Sequence, residues 1–108
     1  MAMITEVFGD VVVLHTTQDL NETMGVTMRE QLRPRNNHKV VVDLDATERV
    51  ENAGLESLLN LQDTLRHKGG DVRVSVANPS IRKILEITRL DQQLEVYDCI
   101  IDAVRSYD

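Results

Sequence analysis

Three consecutive valines, Val40 to Val42, constrain the fold of this chain more than any other feature of the sequence. β-branched residues favour strands, and an apolar run without polar alternation is typical of a strand that is buried on both faces. Strands of this kind occur mainly in parallel sheets, whose connections are usually helices. The segment from Lys39 to Leu44 therefore predicts a central strand of an α/β fold.

Short apolar segments elsewhere predict the other strands. A Gly9-Asp10 pair separates the first two of these segments and is typical of a tight hairpin turn. The segment around Val74 alternates apolar and polar residues, which indicates a strand covered on one face. The predicted strands, besides the central one, are residues 3–8, 11–15, 72–76 and 95–97.

Stripes of apolar residues at helical spacing lie between the later strands. Asn21 and Asp98 stand at N-cap positions, Pro34 ends the first stripe, and Gly69-Gly70 ends the second. The stripes are Leu20, Met24, Met28 and Leu32; Leu55, Leu58, Leu59, Gln62 and Leu65; Ile81, Ile84, Leu85 and Thr88; and Ile100, Ile101 and Val104.

The second predicted helix divides into a buried and an outward face. Val41 is expected to be buried against the leucines of the buried face. Residues 45–54, which precede this helix, are polar and are expected to form a long connection. The outward face is expected to carry Glu56, Ser57, Asn60, Thr64 and His67.

This order of elements, β-β-α-β-α-β-α-β-α, predicts the α/β class. We expect a mixed, mostly parallel sheet with an opening antiparallel hairpin and about four helices. The chain has 108 residues and contains no repeat or linker, so residues 1–108 are expected to form a single domain.

Charge and composition argue against several classes of partner. The chain has 12 basic and 18 acidic residues, a net charge of −6, and only 3% aromatic residues, which is unfavourable for nucleic-acid binding. It contains no apolar run of about 20 residues and no secretory signal, so we expect no membrane insertion and a cytoplasmic location. Cys99 is the only cysteine, which excludes an intramolecular disulfide, and its neighbours Ile100 and Ile101 predict a packed or half-packed thiol.

Residue patterns typical of catalysis or cofactor binding are absent from the sequence. There is no glycine-rich phosphate-binding motif, and the three histidines, His15, His38 and His67, have no metal-ligand spacing. Asp43 and Asp45 lie at the carboxyl end of a predicted strand, where a solvated loop edge is favoured over a site. We therefore expect no catalytic residue, no metal, no cofactor and no enzymatic activity.

The junction from Val50 to Leu55 is the remaining candidate site. The first amides of a helix have no partner within the helix, and the helix dipole makes this end locally positive. A phosphate attached here would be well placed for these amides. The alternative is that Asn52 simply caps the helix.

The order of these segments resembles the STAS domain family, the fold of anti-sigma factor antagonists. Residues 18–21, Q-D-L-N, resemble the family's G-E-L-D segment, and residues 40–44 followed by 50–55 resemble V-V-L-D-L and I-D-S-S-G-L. Residues 68–74 are similar to R-G-G-x-L-x-L, and residues 78–91 resemble N-P-S-P-R-V-R-R-V-L-E-L-T-G-L-D. The resemblance extends from Gly9 to Tyr107.

The resemblance implies a regulatory switch that this chain lacks. In the family, a partner kinase that is also the anti-sigma factor phosphorylates the second serine of D-S-S-G and thereby blocks binding. Ala53 stands at that position and has no hydroxyl, so phosphotransfer to it is impossible. The further differences at Asn21, Glu51 and Asn52 favour natural divergence over an engineered change, and Ser57 and Thr64 remain as alternative acceptors.

The resemblance implies a protein-binding regulator of the anti-sigma factor antagonist type, whose partner is an anti-sigma factor with a histidine-kinase-like ATPase domain. Two alternatives stay open: a structural STAS subunit of a larger assembly, such as a stressosome-like particle or a lipid-transport complex, and a small-molecule or nucleotide sensor. The expected partner-binding residues are Asn21, Glu51, Asn52, Ala53, Gly54, Ser57 and Asn60.

Overall fold

A computed structural model describes residues 3–108 of the chain. The seven strands are β1 (Ile4–Phe8), β2 (Val11–His15), β3 (Asp19–Leu20), β4 (Lys39–Asp43), β5 (Arg49–Val50), β6 (Asp71–Ser75) and β7 (Glu95–Tyr97). The four helices are α1 (Glu22–Leu32), α2 (Asn52–His67), α3 (Pro79–Ile87) and α4 (Ile100–Arg105), and a 3-10 turn spans Leu90–Gln92.

Five of the strands form the main sheet, in the order β1-β2-β4-β6-β7. β1 pairs antiparallel with β2 through the Gly9 turn, and all other pairs in this sheet are parallel. In register, Val12 lies beside Val40, and Val40 lies beside Val72. The α/β class, the mixed sheet with an opening hairpin and the four helices are thus confirmed.

The valines of β4 are buried on both faces of the sheet, as the sequence predicts. Val40 and Val42 face the larger core, which α1, α2 and α3 cover. Val41 faces the opposite side, where it packs with Val11, Val13 and Ala103 of α4. The expectation that Val41 lies against the leucines of α2 is therefore wrong, because successive residues of a strand point to opposite faces.

The buried face of α2 is rotated slightly from the predicted one. Leu58, Leu61 and Leu65 are buried at i, i+3 and i+7 spacing, and Gln62 is buried beside them. Leu59, expected in the core, is only half-buried at the edge of this stripe. Successive residues of a helix are about 100° apart around its axis, so a stripe with Leu59 and a stripe with Leu61 both fit the helical periodicity. Packing against α1 and the sheet buries the stripe with Leu61.

The closing helix differs from its prediction at its start. Cys99, not Asp98, is the N-cap residue of α4, and no side chain caps the helix. The Cys99 thiol is exposed and Ile101 is 60% exposed, so the prediction of a packed or half-packed thiol is wrong. This helix has six residues and turns only one side, with Ala103 at its centre, toward the sheet. Among residues 3–108, no helix has the length and apolar character needed to cross a membrane.

The polar connection predicted at residues 45–54 contains regular structure. It includes β5, which pairs in parallel with β3 to form a separate two-stranded sheet. Strands of two residues are too short to show a periodic pattern, so the sequence analysis missed both of them. This small sheet positions the candidate site.

Candidate functional site

The small sheet holds the N-terminal ends of α1 and α2 side by side. Leu20, which precedes the α1 N-cap, pairs with Val50, which precedes the α2 N-cap. The backbone N–H of Glu51 donates to the Leu20 carbonyl over 2.9 Å. Both helices therefore begin at the same edge of the molecule, and residues far apart in sequence form one surface there.

Gly54 allows the two helix ends to approach each other. A Cβ atom at this position would lie 2.2 Å from the Leu20 carbonyl oxygen and 2.8 Å from the Asn21 nitrogen, both backbone atoms. Only glycine fits so close to another backbone segment. Gly54, which is among the expected partner-binding residues, is buried inside the junction with the Leu20 backbone against it.

Ser57 also supports the junction from inside. Its Oγ donates to the Ala53 carbonyl over 2.8 Å, and its side chain lies against Gly25 of α1. Ser57 is buried, so its predicted outward orientation is wrong and it offers no accessible hydroxyl to a kinase. Because Gly25 has no side chain, α1 packs close to this part of α2 and leaves no room for Ser57 to turn outward.

The other candidate residues lie at the surface. Glu51, Asn52 and Asn60 are exposed, and Ala53 and Asn21 are half-buried. Asn52 is the first residue of α2 and not its cap, so the alternative interpretation of Asn52 as an N-cap is wrong.

The N-terminal ends of α1 and α2 differ in whether the side chain of the N-cap residue already occupies them. The Asn21 Oδ1 accepts the Met24 N–H over 2.9 Å and so already caps α1. The cap of α2, Glu51, makes no side-chain capping bond. Within the described residues, the amides of Asn52 and Ala53 therefore have no hydrogen-bond partner at the positive end of the helix dipole.

Shallow depressions flank this edge on both sides. One of about 270 Å³ is lined by Asp19, Asn21 and Thr23. The other, of about 240 Å³, lies between Asn52, Leu59 and the loop after α3. Asp19, Thr23 and Leu59, which line these depressions, were not predicted as part of the site. Leu20 and Val50 directly precede the two N-caps, but their pairing depends on β3 and β5, which are too short to show a pattern in the sequence.

A second polar cluster lies on the main sheet, around His15. Its Nδ1 is 2.7 Å from the Asp43 Oδ2, and its Nε2 is 2.5 Å from the Glu6 Oε1. The two carboxylates come from the strands on either side of β2, so no spacing in the sequence indicates them. Asp43, expected at a solvated edge, is buried. Asp45 is exposed, as expected, and accepts the Ala77 N–H over 2.9 Å.

The imidazole of His15 is held between the carboxylates of Asp43 and Glu6. Burial lowers the pKa of His15, but the hydrogen bonds to Asp43 and Glu6 outweigh that effect and raise the pKa above its ordinary value. A shallow depression of about 640 Å³ lies beside it. Within residues 3–108, no group of three His, Cys, Asp or Glu side chains is arranged to hold a metal ion.

Comparisons with known proteins agree with this architecture. A family model described as "Mlab, STAS domain" matches residues 8–101. An anti-sigma F factor antagonist from Paenibacillus polymyxa is 24% identical over 90 residues, which cover 83% of this chain and 74% of that protein.

Solved structures share the fold. A crystal structure of a Thermotoga maritima protein superposes with a TM-score of 0.84 at 20% identity and covers 96% of this chain and 92% of that one. The Bacillus cell fate determinant SpoIIAA in its phosphorylated form superposes with a TM-score of 0.72 at 14% identity, covering 99% and 100%. The family model spans most of the chain, and both solved structures superpose on nearly all of it. The chain therefore belongs to the STAS domain family.

Proposed function

We propose that this chain is a regulatory module of the anti-sigma factor antagonist type. It binds an anti-sigma factor with a histidine-kinase-like ATPase domain through the paired helix ends. The observation that carries the proposal is the junction itself, where the β3–β5 ladder and Gly54 place Asn21 next to the uncapped start of α2. The Paenibacillus relative, described as an anti-sigma F factor antagonist, supports the same class of function.

The contact surface in this proposal is narrower than the one the sequence predicts. Gly54 and Ser57 are buried, so they shape the junction and do not touch the partner. Asn21 contributes its position, since its side-chain oxygen is already engaged by the Met24 amide. The proposed contacts are Asn21, Glu51, Asn52, Ala53 and Asn60.

Ala53 distinguishes this module from antagonists that are switched by phosphorylation. The family resemblance places a phosphorylated serine at this position, and SpoIIAA, a protein of the same fold, exists in a phosphorylated form. Alanine carries no hydroxyl, so a phosphate cannot switch binding at position 53. We propose that binding here is constitutive and is set by the abundance of the two proteins.

A second function is favoured by one observation. The family model that matches this chain bears the name Mlab and not that of an anti-sigma factor antagonist. A STAS subunit of a larger assembly, such as a lipid-transport complex, would use the same junction in a permanent contact. Such a subunit would co-purify with its assembly at fixed stoichiometry, whereas a regulator would exchange between partners.

Isothermal titration of the chain with a purified anti-sigma factor kinase tests the leading proposal. Ala53→Asp places a negative charge beside Glu51 and against the partner, and should weaken binding tenfold or more, which corresponds to ~1.4 kcal/mol. Its melting temperature should stay nearly unchanged, because a helix N-terminus tolerates an anion. Asn60→Arg, on the same side of α2, should weaken binding as well.

Arg105→Glu serves as the matched control for this experiment. Arg105 is exposed on α4, outside the junction, so this change in charge should leave the affinity unaltered. Unchanged affinity in both Ala53→Asp and Asn60→Arg would reject the paired helix ends as the binding surface.

A further inference from the structure

A small groove lies where the C-terminal ends of α1 and α2 meet, away from the junction described above. Its volume is about 190 Å³. The buried side chains of Leu32, Leu61 and Leu65 form its floor. The groove residues Leu61 to Lys68 are 9 to 16 residues beyond Asn52, so the groove lies about 14–24 Å along α2 from that residue.

Basic side chains form the rim of this groove. No Asp or Glu is among the described residues that line it. Arg29, Arg33 and Lys68 are exposed, and Arg35 is half-buried. An apolar floor inside a basic rim fits a ligand that is both apolar and negatively charged.

The concentration of positive charge stands out against the acidic chain. Of the 12 basic residues, Lys39, Arg49, Arg66, Arg73 and Arg82 form ion pairs with carboxylates. The other seven form none within residues 3–108, and four of those seven line this groove. The net charge of the whole chain is −6, so an anion is repelled by most of the surface and attracted here.

The negative ends of the two helix dipoles offset only part of the positive charge around this groove. Each helix C-terminus carries roughly half a negative charge, so α1 and α2 together offset about one of the four cations. Arg35 donates through Nε to the Gln31 carbonyl over 3.2 Å and through Nη2 to the Thr5 Oγ1 over 3.2 Å. The other three cations make no side-chain hydrogen bond to the described part of the chain and are available to a ligand.

We propose that this groove binds an acidic peptide segment of a partner protein. One large apolar side chain of the peptide packs on the leucine floor, and flanking carboxylates pair with Arg29, Arg33 and Lys68. The hydrogen bonds of Arg35 fix its guanidinium in place, which lowers the entropy lost on binding. This surface is distinct from the paired helix ends, so the chain has the means to contact two partners at once.

Fluorescence anisotropy with defined peptides tests the proposal. The probe is a capped, fluorescein-labelled peptide of glutamates around one central phenylalanine. We expect saturable binding that weakens tenfold or more in the double variant Arg29→Glu and Arg33→Glu, and that weakens as salt is raised. A peptide with serine in place of phenylalanine should bind at least threefold more weakly.

Lys83→Glu is the control variant, because Lys83 is an exposed cation on α3, lies outside the groove and forms no ion pair within residues 3–108. It should bind the peptide like the unaltered chain. Circular dichroism of the double variant checks that it remains folded. In two-dimensional ¹H–¹⁵N NMR spectra, the peptide should shift the amide signals of Thr64 and Lys68.

Several results would overturn this proposal. These are no anisotropy change up to about 1 mM peptide, equal affinity for the serine peptide, or an equal loss in Lys83→Glu. Binding to phosphatidylglycerol vesicles without binding to the peptide would assign the groove to a membrane surface instead. Saturation by inorganic phosphate at the same concentration as the peptide would show a simple anion site.

Discussion

Replacement of Gly54 by alanine is the most direct perturbation of the geometry that builds the junction. The new Cβ would lie 2.2 Å from the Leu20 carbonyl oxygen and 2.4 Å from its carbonyl carbon. Ordinary contacts begin at 3.4 Å, so the backbone of α2 or of β3 must move by about 1 Å. Overpacking of this kind costs about 1–3 kcal/mol. The higher helix propensity of alanine returns at most ~1 kcal/mol, and less in the first turn.

Urea denaturation followed by circular dichroism measures this effect. We expect Gly54→Ala to lower the free energy of unfolding by about 1–3 kcal/mol. The melting temperature should fall by roughly 4–8 °C for each kcal/mol in a domain of this size. Asn60→Ala, an exposed change on the same helix, is the control and should stay within about 0.5 kcal/mol. A Gly54→Ala variant as stable as the unaltered chain would refute the close approach of α2 to Leu20.

Three further predictions follow from the same contacts. Leu58→Ala should lower the free energy of unfolding by about 2–5 kcal/mol in urea denaturation, and Leu59→Ala by less than half as much, because only Leu58 is fully buried. Equal losses in the two variants would contradict the observed buried face of α2. Because the pKa of His15 is raised in the folded state, protonation of this histidine stabilises the fold. The stabilisation is complete below pH 6.5, the ordinary pKa of histidine, and is lost as the pH rises through the folded-state pKa. Urea denaturation midpoints across this pH range, with an NMR titration of the imidazole, measure this effect. Glu6→Gln should flatten the pH dependence of stability. A pH dependence unaltered by Glu6→Gln would contradict the contact between Glu6 and His15. Ala53→Ser, incubated with an anti-sigma factor kinase and ATP, should accept phosphate at position 53, whereas phosphate on Ser57 or Thr64 of the unaltered chain would reveal a switch that this account denies.

The sheet and helices could be predicted because their signals are local. The valine run of β4 and the apolar stripe of α1 each lie in one segment, and burial matches the pattern in both. The family resemblance rests on segments of the same kind. It therefore leads to the same fold as the periodicity.

The junction could be located from the sequence, but its internal arrangement could not. Gly54 and Ser57 lie at exposed-looking positions of the helical pattern, and they are buried because α1 packs against them. That contact depends on β3 and β5, which have two residues each and show no periodicity. The partners of His15 were hidden for a related reason, since Asp43 meets it only through the register of two neighbouring strands.

The basic groove at the other end of α2 shows the same limit. Arg29, Arg33 and Arg35 are close in sequence, but Lys68 joins them only when the helices pack. The absence of an ion pair is also a property of the folded chain and not of the sequence. Charge counts over the whole chain therefore conceal a local surface of opposite sign.

The binding of a partner to the paired helix ends is the central claim, and amide chemical-shift mapping tests it most directly. The ¹⁵N-labelled chain would be titrated with an unlabelled anti-sigma factor kinase, and the shifted or broadened signals would be assigned. We predict that the largest changes fall on Asn21, Asn52, Ala53 and Asn60, with little change on α4 around Arg105. Changes concentrated on α4, with Asn52 and Ala53 unaffected, would contradict the account.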